Sequence, residues 1–393
     1  MDSAELLAII KRGESSKVQF KERLPHIDSL AYELIAFANT NGGFLLIGVN
    51  DKTGALNGLS FSEIQQSNSQ IVNAASQKIF PPICVITETI SVGDQNIIVV
   101  KIDEGTSKPY KDRNGIIYVK NGSDKRKVTS NDELARLLRE GGSLYAEEIP
   151  VKGSSTKDID IKQFDLFLFK KYKKTLEELN SEKLSIEQIL ENLNLAKNGE
   201  FLLTGLLSFS TKRHLFYPQF SIQCVSMDGT IIGDTFSDNE SAFEGTISEV
   251  FRRAMDFIGR NMKKIPETNG FNAPTKWEIP YEVFEELLVN ALVHRDYLIS
   301  STVKILVFSD RVKIASPGKL PNSLTVENIK NGVSILRNPI LLSTVQHILP
   351  YKGLGTGIRR SFSLYPDIAM ENRVDENLFR VIIRRPQVIS VNT

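Results

Sequence analysis

A helical pattern that runs through a glycine turn into an apolar strand limits the possible folds of this chain more than any other stretch. Leu30, Leu34 and Phe37 recur at helical spacing within residues 29–40. The sequence Asn-Gly-Gly then breaks the helix, and the apolar run "FLLIGV" follows as a strand that ends at the turn-forming "NDKTG". This succession predicts a mixed α and β fold for the first third of the chain.

The elements that follow support this interpretation. The runs "NIIVVKID" and "GIIYVKNG" predict two further strands. The run "SNDELARLLRE" predicts a helix, because it begins with Ser130 and Asn131 as capping residues and stops at Gly141-Gly142. The glycine pair marks a boundary before residue 150, and we place the first domain at residues 1–145.

The middle of the chain predicts a mixed connector domain, to which we assign no chemistry. Helices are expected in "FDLFLFKKYKKTLEELN", "SIEQILENLNL" and "ISEVFRRAMDFIGRNMKK", and strands in "FLLTGLLSFS" and "PQFSIQCVSM". A stretch rich in Pro, Asn and Gly, residues 265–280, separates this connector from the last part. We therefore expect an α+β protein with a connector at residues 146–265 and a third domain at residues 266–393.

Composition and charge narrow the possible functions. A length of 393 residues favours two or three domains. A net charge of +1 means that any surface for nucleic acid has to be local. Cys84 and Cys224 have no CxxC or His partner spacing, which disfavours a metal site or a disulfide framework and fits a reducing cytoplasm. The start "MDSAELLAII" does not resemble a signal peptide, and no apolar run approaches the length of a spanning helix.

The run "PYEVFEELLVNALVHRDY" predicts a helix with a polar stripe. Glu286, Asn290 and His294 recur every four residues, so the stripe drifts by only about 40° per step. The apolar residues that would pack inward from another sector are Phe284, Leu288 and Leu292. Two alternating strands around a Ser-Asp turn follow, then Pro317-Gly318, and later the stretch "KGLGTGIRR" before a predicted helix.

This order resembles the nucleotide fold shared by gyrase, the heat-shock chaperone, histidine kinases and MutL (the GHKL ATPases), which implies a GHKL-like α/β sandwich. The resemblance implies that Asn290 binds a Mg²⁺ that bridges the phosphates of ATP, and that Glu286 orients or deprotonates the attacking water. The residues expected to bind the cofactor are Asn290, His294, Gly318, Gly353, Gly355, Thr356 and Gly357. Glycines allow close approach, and a helix start attracts anions. Ser316 stands where the family has an Asp that accepts the adenine amino group. The alternative is a buried core helix and a simple glycine turn.

The runs "GESSKVQFKERLP" and "IAFANTNGGFLLIGVNDKTGALNGL" resemble the Schlafen AlbA-type domain, from Glu14 to about Glu140, which implies nucleic-acid binding. With the C-terminal part, the chain resembles the RecG-related transcriptional regulators of bacteria. Residues 101–130 contain eight Lys/Arg and four Asp/Glu, a locally basic segment. The predicted phosphate contacts are Lys21, Lys120, Lys125, Arg126 and Lys127. A solvated hairpin loop is the alternative.

Some Schlafen relatives are ribonucleases with two glutamates five residues apart and a later aspartate. Glu14 and Asp51 match the first and third positions, but Gln19 occupies the second, and a neutral amide cannot act as a base. A metal-dependent ribonuclease is therefore the alternative activity. The chain has no GxxxxGK[ST] phosphate loop, so helicase activity is not supported.

These observations predict a cytoplasmic, ATP-responsive protein that binds DNA or RNA, in transcriptional regulation or in defence against foreign DNA. ATP with Mg²⁺ is the expected cofactor, and weak ATPase activity and a homodimer are compatible with the pattern. The segment from Gly318 to Gly353 is expected to close over the nucleotide as a lid. A protein-interaction adaptor with vestigial sites is the remaining alternative.

Overall fold

The computed structural model describes residues 1–233, 235–242, 244–267, 273–321, 324–351 and 356–386. The chain divides into two compact units, Met1–Leu144 and Tyr145–Thr393. Helices and strands are mixed in both, so the predicted α+β class is confirmed. Each unit is described by itself.

The helices and strands of the first unit follow in chain order: α1 (Ser3–Arg12), β1 (Val18–Lys21), α2 (Ile27–Ala38), β2 (Gly43–Ile47), α3 (Phe61–Gln77), β3 (Ile79–Phe80), β4 (Val85–Val92), β5 (Gln95–Ile102), β6 (Lys111–Asp112), β7 (Tyr118–Asn121), β8 (Asp124–Lys127) and α4 (Asn131–Glu140).

The sheet of the first unit is covered on both faces. Its strand order is β1-β2-β5-β4, with β1 and β2 parallel and the other pairs antiparallel. Leu45 and Ile47 pack with buried residues of α2 and α3, whereas Leu46 packs with Leu6 of α1 on the other face. The double cover explains why β2 is apolar without alternation, as a strand buried on both sides has to be.

The elements of the second unit are α5 (Ile161–Tyr172), α6 (Leu176–Ser181), α7 (Ile186–Asn192), β9 (Ala196–Lys197), β10 (Glu200–Phe201), α8 (Leu203–Phe209), α9 (Arg213–Phe216), β11 (Ile222–Met227), β12 (Phe236–Ala242), α10 (Ile247–Asn261), β13 (Lys264–Pro266), β14 (Thr275–Trp277), α11 (Tyr281–Val293), β15 (Val303–Val307), β16 (Arg311–Pro317), α12 (Val326–Lys330), α13 (Pro339–Val345), α14 (Gly357–Leu364), β17 (Ile368–Arg373) and β18 (Leu378–Arg384).

One six-stranded sheet crosses the boundary that the sequence analysis placed at residue 265. Its order is β12-β11-β15-β16-β18-β17, and only the β11–β15 pair within it is parallel. Strands β11 and β12 come from the predicted connector and β15 to β18 from the predicted third domain. Because Ile222 pairs with Val303 and Ser226 with Val307, hydrogen bonds join the two segments along the whole of β15. The structure thus joins in one unit what the sequence divided at residue 265.

One predicted strand is wrong. Residues 201–210, "FLLTGLLSFS", were expected to be extended, but Leu203–Phe209 form helix α8, and all seven residues of this helix are buried. A short run that is apolar on every side has no periodicity that would distinguish a buried helix from a buried strand. The strand predicted in "PQFSIQCVSM" is confirmed as β11.

No helix in the described ranges is both long enough and apolar enough to cross a bilayer.

Candidate functional site

Helix α11 places the predicted polar stripe on the wall of a cavity. Phe284, Leu288 and Leu292 are buried in the core of the second unit, as the spacing predicts. The stripe of Glu286, Asn290 and His294 lines the cavity from the same side. Helix geometry therefore separates a packing face from a face that a ligand can reach.

The cavity lies between α11, the sheet and the start of α14. Its empty volume is about 980 Å³, including space open to solvent. Residues of the segment 318–335 and Tyr351 complete the wall. The predicted residues that meet here are Glu286, Asn290, His294, Gly318 and Gly357. Thr356 precedes α14 as its capping residue, and Gly353 and Gly355 lie outside the described residues.

Glu286 and Asn290 are joined by hydrogen bonds. The amide nitrogen of Asn290 donates to Glu286 Oε1 at 2.9 Å and to the backbone oxygen of Glu286 at 2.7 Å. No described residue donates a hydrogen bond to Asn290 Oδ1 in return. The amide oxygen of Asn290 is thus oriented away from Glu286 and is available to a cation.

The Glu286 carboxylate is buried, and its charge is only partly balanced. Burial raises the pKa of Glu286, while the hydrogen bond from Asn290 and the charge of Arg360 act in the opposite direction. Arg360 Nη2 lies 3.6 Å from Glu286 Oε2. A carboxylate whose pKa is raised in this way is a stronger base than an exposed carboxylate.

The first residue of α14 is in contact with this carboxylate. A methyl group added to Gly357 would overlap the Glu286 carboxylate. Only glycine allows the two to approach so closely, and the positive end of a helix dipole lies at the same place. The last glycine of the predicted loop and the predicted carboxylate therefore meet at one point of the cavity wall.

The other end of the stripe is closed by residues that the sequence analysis did not single out. Arg337 donates to the backbone oxygens of His294 at 3.1 Å and of Lys319 at 2.7 Å. Asn338 donates to the backbone oxygens of Val293 at 2.7 Å and of Arg295 at 2.9 Å. The bonds to Val293, His294 and Arg295 satisfy carbonyl groups at the end of α11. The run "RNP" could have indicated a helix start with proline at the first position, but not this capping role.

His294 is neutral at physiological pH. Burial and the positive charge of Arg337 lower the pKa of His294 to about 4. Gly318 lies beside it with a φ of +102°, and a side chain at this position would collide with Arg337 and Asp296. The turn after β16 consequently requires glycine on conformational and on steric grounds.

The floor of the cavity is apolar and carries no second acid. Ile314, Met370, Phe379 and Val381, from β16, β17 and β18, line it. Ser316 is on the same wall, and its hydroxyl donates to the backbone oxygen of Ala291 at 2.8 Å. Glu286 is the one acidic residue among the described residues of the lining.

In the first unit, the predicted basic residues differ in accessibility. Lys120 is buried, so it departs from its expected role as a phosphate contact. Its ammonium group donates to Gln19 Oε1 at 2.6 Å and to the backbone oxygen of Ser123, and it lies 3.7 Å from Glu33 Oε2. Burial lowers the pKa of Lys120, against the charges of Glu33 and Glu14. Lys120 is a structural cation within a polar network.

The other four cations divide into paired and unpaired ones. Lys125 lies 2.6 Å from Glu33, and Arg126 makes two hydrogen bonds of 2.8 Å to Glu133. Lys127 is exposed and Lys21 is partly buried, and neither forms an ion pair with a described residue. Lys21 and Lys127 are thus the predicted cations that remain available to a phosphate.

The residues of the alternative nuclease site do not form a metal site. Glu14 Oε1 accepts hydrogen bonds from Gln19 Nε2 at 2.6 Å and from the Phe20 N–H at 2.7 Å, and Asp51 is exposed. Within the described residues, no group of three His, Cys, Asp or Glu side chains is placed to hold a metal ion.

The two units have the sequence characteristics of a nucleic-acid-binding protein of the ATPase type. Residues 14–129 match the family model described as Schlafen, AlbA_2, and residues 300–383 match the one described as putative ATP-dependent DNA helicase recG C-terminal. The chain therefore carries a Schlafen AlbA_2 domain in its first unit and a RecG-related ATPase-type domain in its second, as the sequence resemblance predicts. The second match begins after α11, so it includes Gly318 and Gly357 but not Glu286 or Asn290.

Two solved structures are similar to this chain at low identity. The DIP2311 protein from Corynebacterium diphtheriae is 19% identical with a TM-score of 0.48, over 97% of this chain and 80% of that one. The N-terminal domain of a putative ATP-dependent DNA helicase RecG-related protein from Nitrosomonas europaea is 23% identical with a TM-score of 0.25, over 33% of this chain and 96% of that one. No curated protein matches.

Proposed function

We propose that this protein is an ATP-responsive nucleic-acid-binding regulator, in which the second unit binds ATP with Mg²⁺ and the first unit contacts DNA or RNA. The observation that carries the proposal is the meeting of Glu286, Asn290 and Gly357 on one cavity wall. The domain types of both units agree with it. The biological setting that we propose is transcriptional regulation or defence against foreign DNA, in the reducing cytoplasm.

The chemistry of the cavity supports a nucleotide. The apolar floor offers a surface for a base, and the backbone N–H groups at the start of α14 would attract a phosphate. Asn290 Oδ1 would hold Mg²⁺, which prefers oxygen ligands alongside phosphate and would offset its charge. Glu286 would orient a water molecule and accept its proton, which gives a weak ATPase activity.

The segment from Gly318 to Gly353 would act as the lid. Several of its residues line the cavity, among them Lys319, Leu324 and Arg337. A ligand that contacts this wall shifts the equilibrium of the segment toward the closed state. The size of the shift is set by how much more tightly the ligand binds the closed state than the open state. A homodimer is part of the proposal, since nucleotide-gated proteins often act as dimers.

The nucleotide site is tested by calorimetric titration of ATP with Mg²⁺ into the full chain. Asn290→Ala should lose at least about tenfold in affinity, since the oxygen proposed to hold the cation is removed. Asn192→Ala changes the exposed last residue of α7 and serves as the matched control. Equal affinity of wild type and Asn290→Ala, with unchanged melting temperatures without ligand, would eliminate the site.

Turnover is a separate question. Glu286→Gln preserves the shape of the side chain and the possibility of a hydrogen bond to Asn290, but it cannot accept a proton. We expect this variant to bind ATP and to release no phosphate. Hydrolysis at the rate of the wild type would remove Glu286 from the proposed role.

A further inference from the structure

Helix α5 of the second unit exposes large apolar side chains next to lysines. Its buried face contributes Phe164, Phe167 and Leu168 to the core. On the other side, Phe169 is 52% exposed, Leu166 48% and Tyr172 44%. Single exposed apolar residues are ordinary, but a group of them on one short helix is a feature of binding surfaces.

The charge around these side chains is strongly positive. Residues 161–174 contain five lysines and one acidic residue, Asp165. The Asp165 carboxylate accepts a hydrogen bond of 2.6 Å from the backbone N–H of Leu176, so it is engaged at the start of α6. Among the lysines, Lys174 forms an ion pair of 2.6 Å with Glu182. Lys162, Lys170 and Lys173 form none with any residue in the described ranges.

The lysines and the rings are interleaved. Lys173 Nζ lies 5.8 Å from the ring centre of Phe169, and Lys171 Nζ lies 5.3 Å from that of Tyr172. Burial lowers the pKa of His347, and the charges of Lys171, Lys170 and Lys173 act in the same direction, so these three charges converge on one region. Cations in the last turn favour helix α5 itself, but that effect gives no reason for exposed rings beside them.

We propose that this surface of α5, formed by Leu166, Phe169, Lys170, Tyr172 and Lys173, binds single-stranded nucleic acid. The lysines neutralise phosphates, and the exposed rings stack against unpaired bases. A duplex keeps its bases stacked on one another and would engage the lysines alone. The surface belongs to the second unit, so it is additional to the contact proposed for the first unit and does not rest on it.

The experiment is a fluorescence anisotropy titration of the full chain with a labelled single-stranded oligonucleotide of mixed sequence and with the same sequence as a duplex. Lys170→Glu/Lys173→Glu should weaken single-strand binding at least about tenfold and reduce the slope of log affinity against log salt by about 1.4, from two lost phosphate contacts. Phe169→Ala should weaken single-strand binding by about tenfold and leave duplex binding within twofold.

The matched control is Lys152→Glu/Lys197→Glu, which makes the same charge change at two exposed lysines near the β9–β10 hairpin. It should bind like wild type. All the altered side chains are exposed, and far-ultraviolet circular dichroism with a thermal melt verifies that each variant folds.

Wild-type affinity of both α5 variants would overturn the proposal, as would an equal loss in the control. Lys21→Glu/Lys127→Glu tests the contact proposed for the first unit in the same assay, so either contact can fail alone. A membrane surface is the other partner that suits a helix with exposed apolar and basic side chains, and sedimentation with vesicles of phosphatidylcholine and phosphatidylserine tests it. Vesicle binding that the α5 variants abolish, with nucleic-acid binding unchanged, would replace the proposal with a membrane contact.

Discussion

At the scale of single residues, Glu286 shows what could be predicted from the sequence and what could not. The four-residue spacing placed Glu286, Asn290 and His294 on one side of a helix, because helix geometry is nearly invariant. Its contact with Gly357 depends on how α14 packs against α11, and no local pattern specifies that. For the same reason the sequence indicated a glycine loop but could not identify which backbone group meets the carboxylate.

Gly357→Ala should reduce ATP affinity at least about tenfold while the protein remains folded. The added methyl group would displace the Glu286 carboxylate and break its hydrogen bond with Asn290. Gly259→Ala in α10 is the matched control, since its methyl group would meet only Tyr281 at 3.9 Å. The control should keep its affinity and gain up to about 1 kcal/mol in stability from the better helix former. Titration calorimetry and thermal melts measure both; unchanged affinity in Gly357→Ala would refute the prediction.

His294 should make the protein less stable as the pH falls. Its pKa of about 4 in the folded protein is below the ordinary value of 6.5, so between these values the unfolded chain binds a proton that the folded protein does not. Stability is therefore lost from pH 6.5 down to about 4. His294→Gln should show a flatter dependence of the urea midpoint on pH than the wild type. Parallel curves for the two proteins would contradict this account.

At the scale of elements, clear periodicity or clear turns led to correct predictions. Helices α2, α11 and α10 and strands β15 and β16 were foreseen, because each shows helical spacing or alternation of its apolar residues in the sequence. Helix α8 was missed because it has no polar side. The β7–β8 hairpin was foreseen as a basic turn, but the sequence could not reveal that Glu33 and Gln19 lie under Lys120.

Lys120→Met should destabilise the first unit by about 3 kcal/mol or more. Removing the ammonium group leaves Gln19 Oε1 and the Ser123 carbonyl without this hydrogen-bond donor. The buried carboxylate of Glu33 then keeps only Lys125 as a cation partner among the described residues. The exposed Lys127 of the same hairpin provides the control, and Lys127→Met should change stability by less than about 0.5 kcal/mol. Urea unfolding measures both variants. Equal, small effects would mean that the Lys120 network contributes little.

At the scale of the whole molecule, the proposal requires the two units to communicate. Saturating ATP with Mg²⁺ should change the affinity for nucleic acid by about tenfold, a typical coupling between two sites. Asn290→Ala should abolish this response without changing the affinity measured in the absence of nucleotide. Linkage also requires nucleic acid to change the affinity for ATP by the same factor. If the anisotropy titration of the wild type is identical with and without nucleotide, nucleotide binding and nucleic-acid binding are independent and the predicted coupling is refuted.

The parallel pairing of β11 with β15 has a practical consequence for anyone who truncates the gene. A fragment that starts at residue 266 would leave the backbone N–H and C=O groups on one side of β15 without partners, next to the apolar side chains of Val303, Ile305 and Val307. Such an open edge is a template for aggregation. A fragment that begins at Tyr145 keeps β15 paired with β11. We expect this fragment, unlike the one that starts at residue 266, to stay in solution when it is expressed alone.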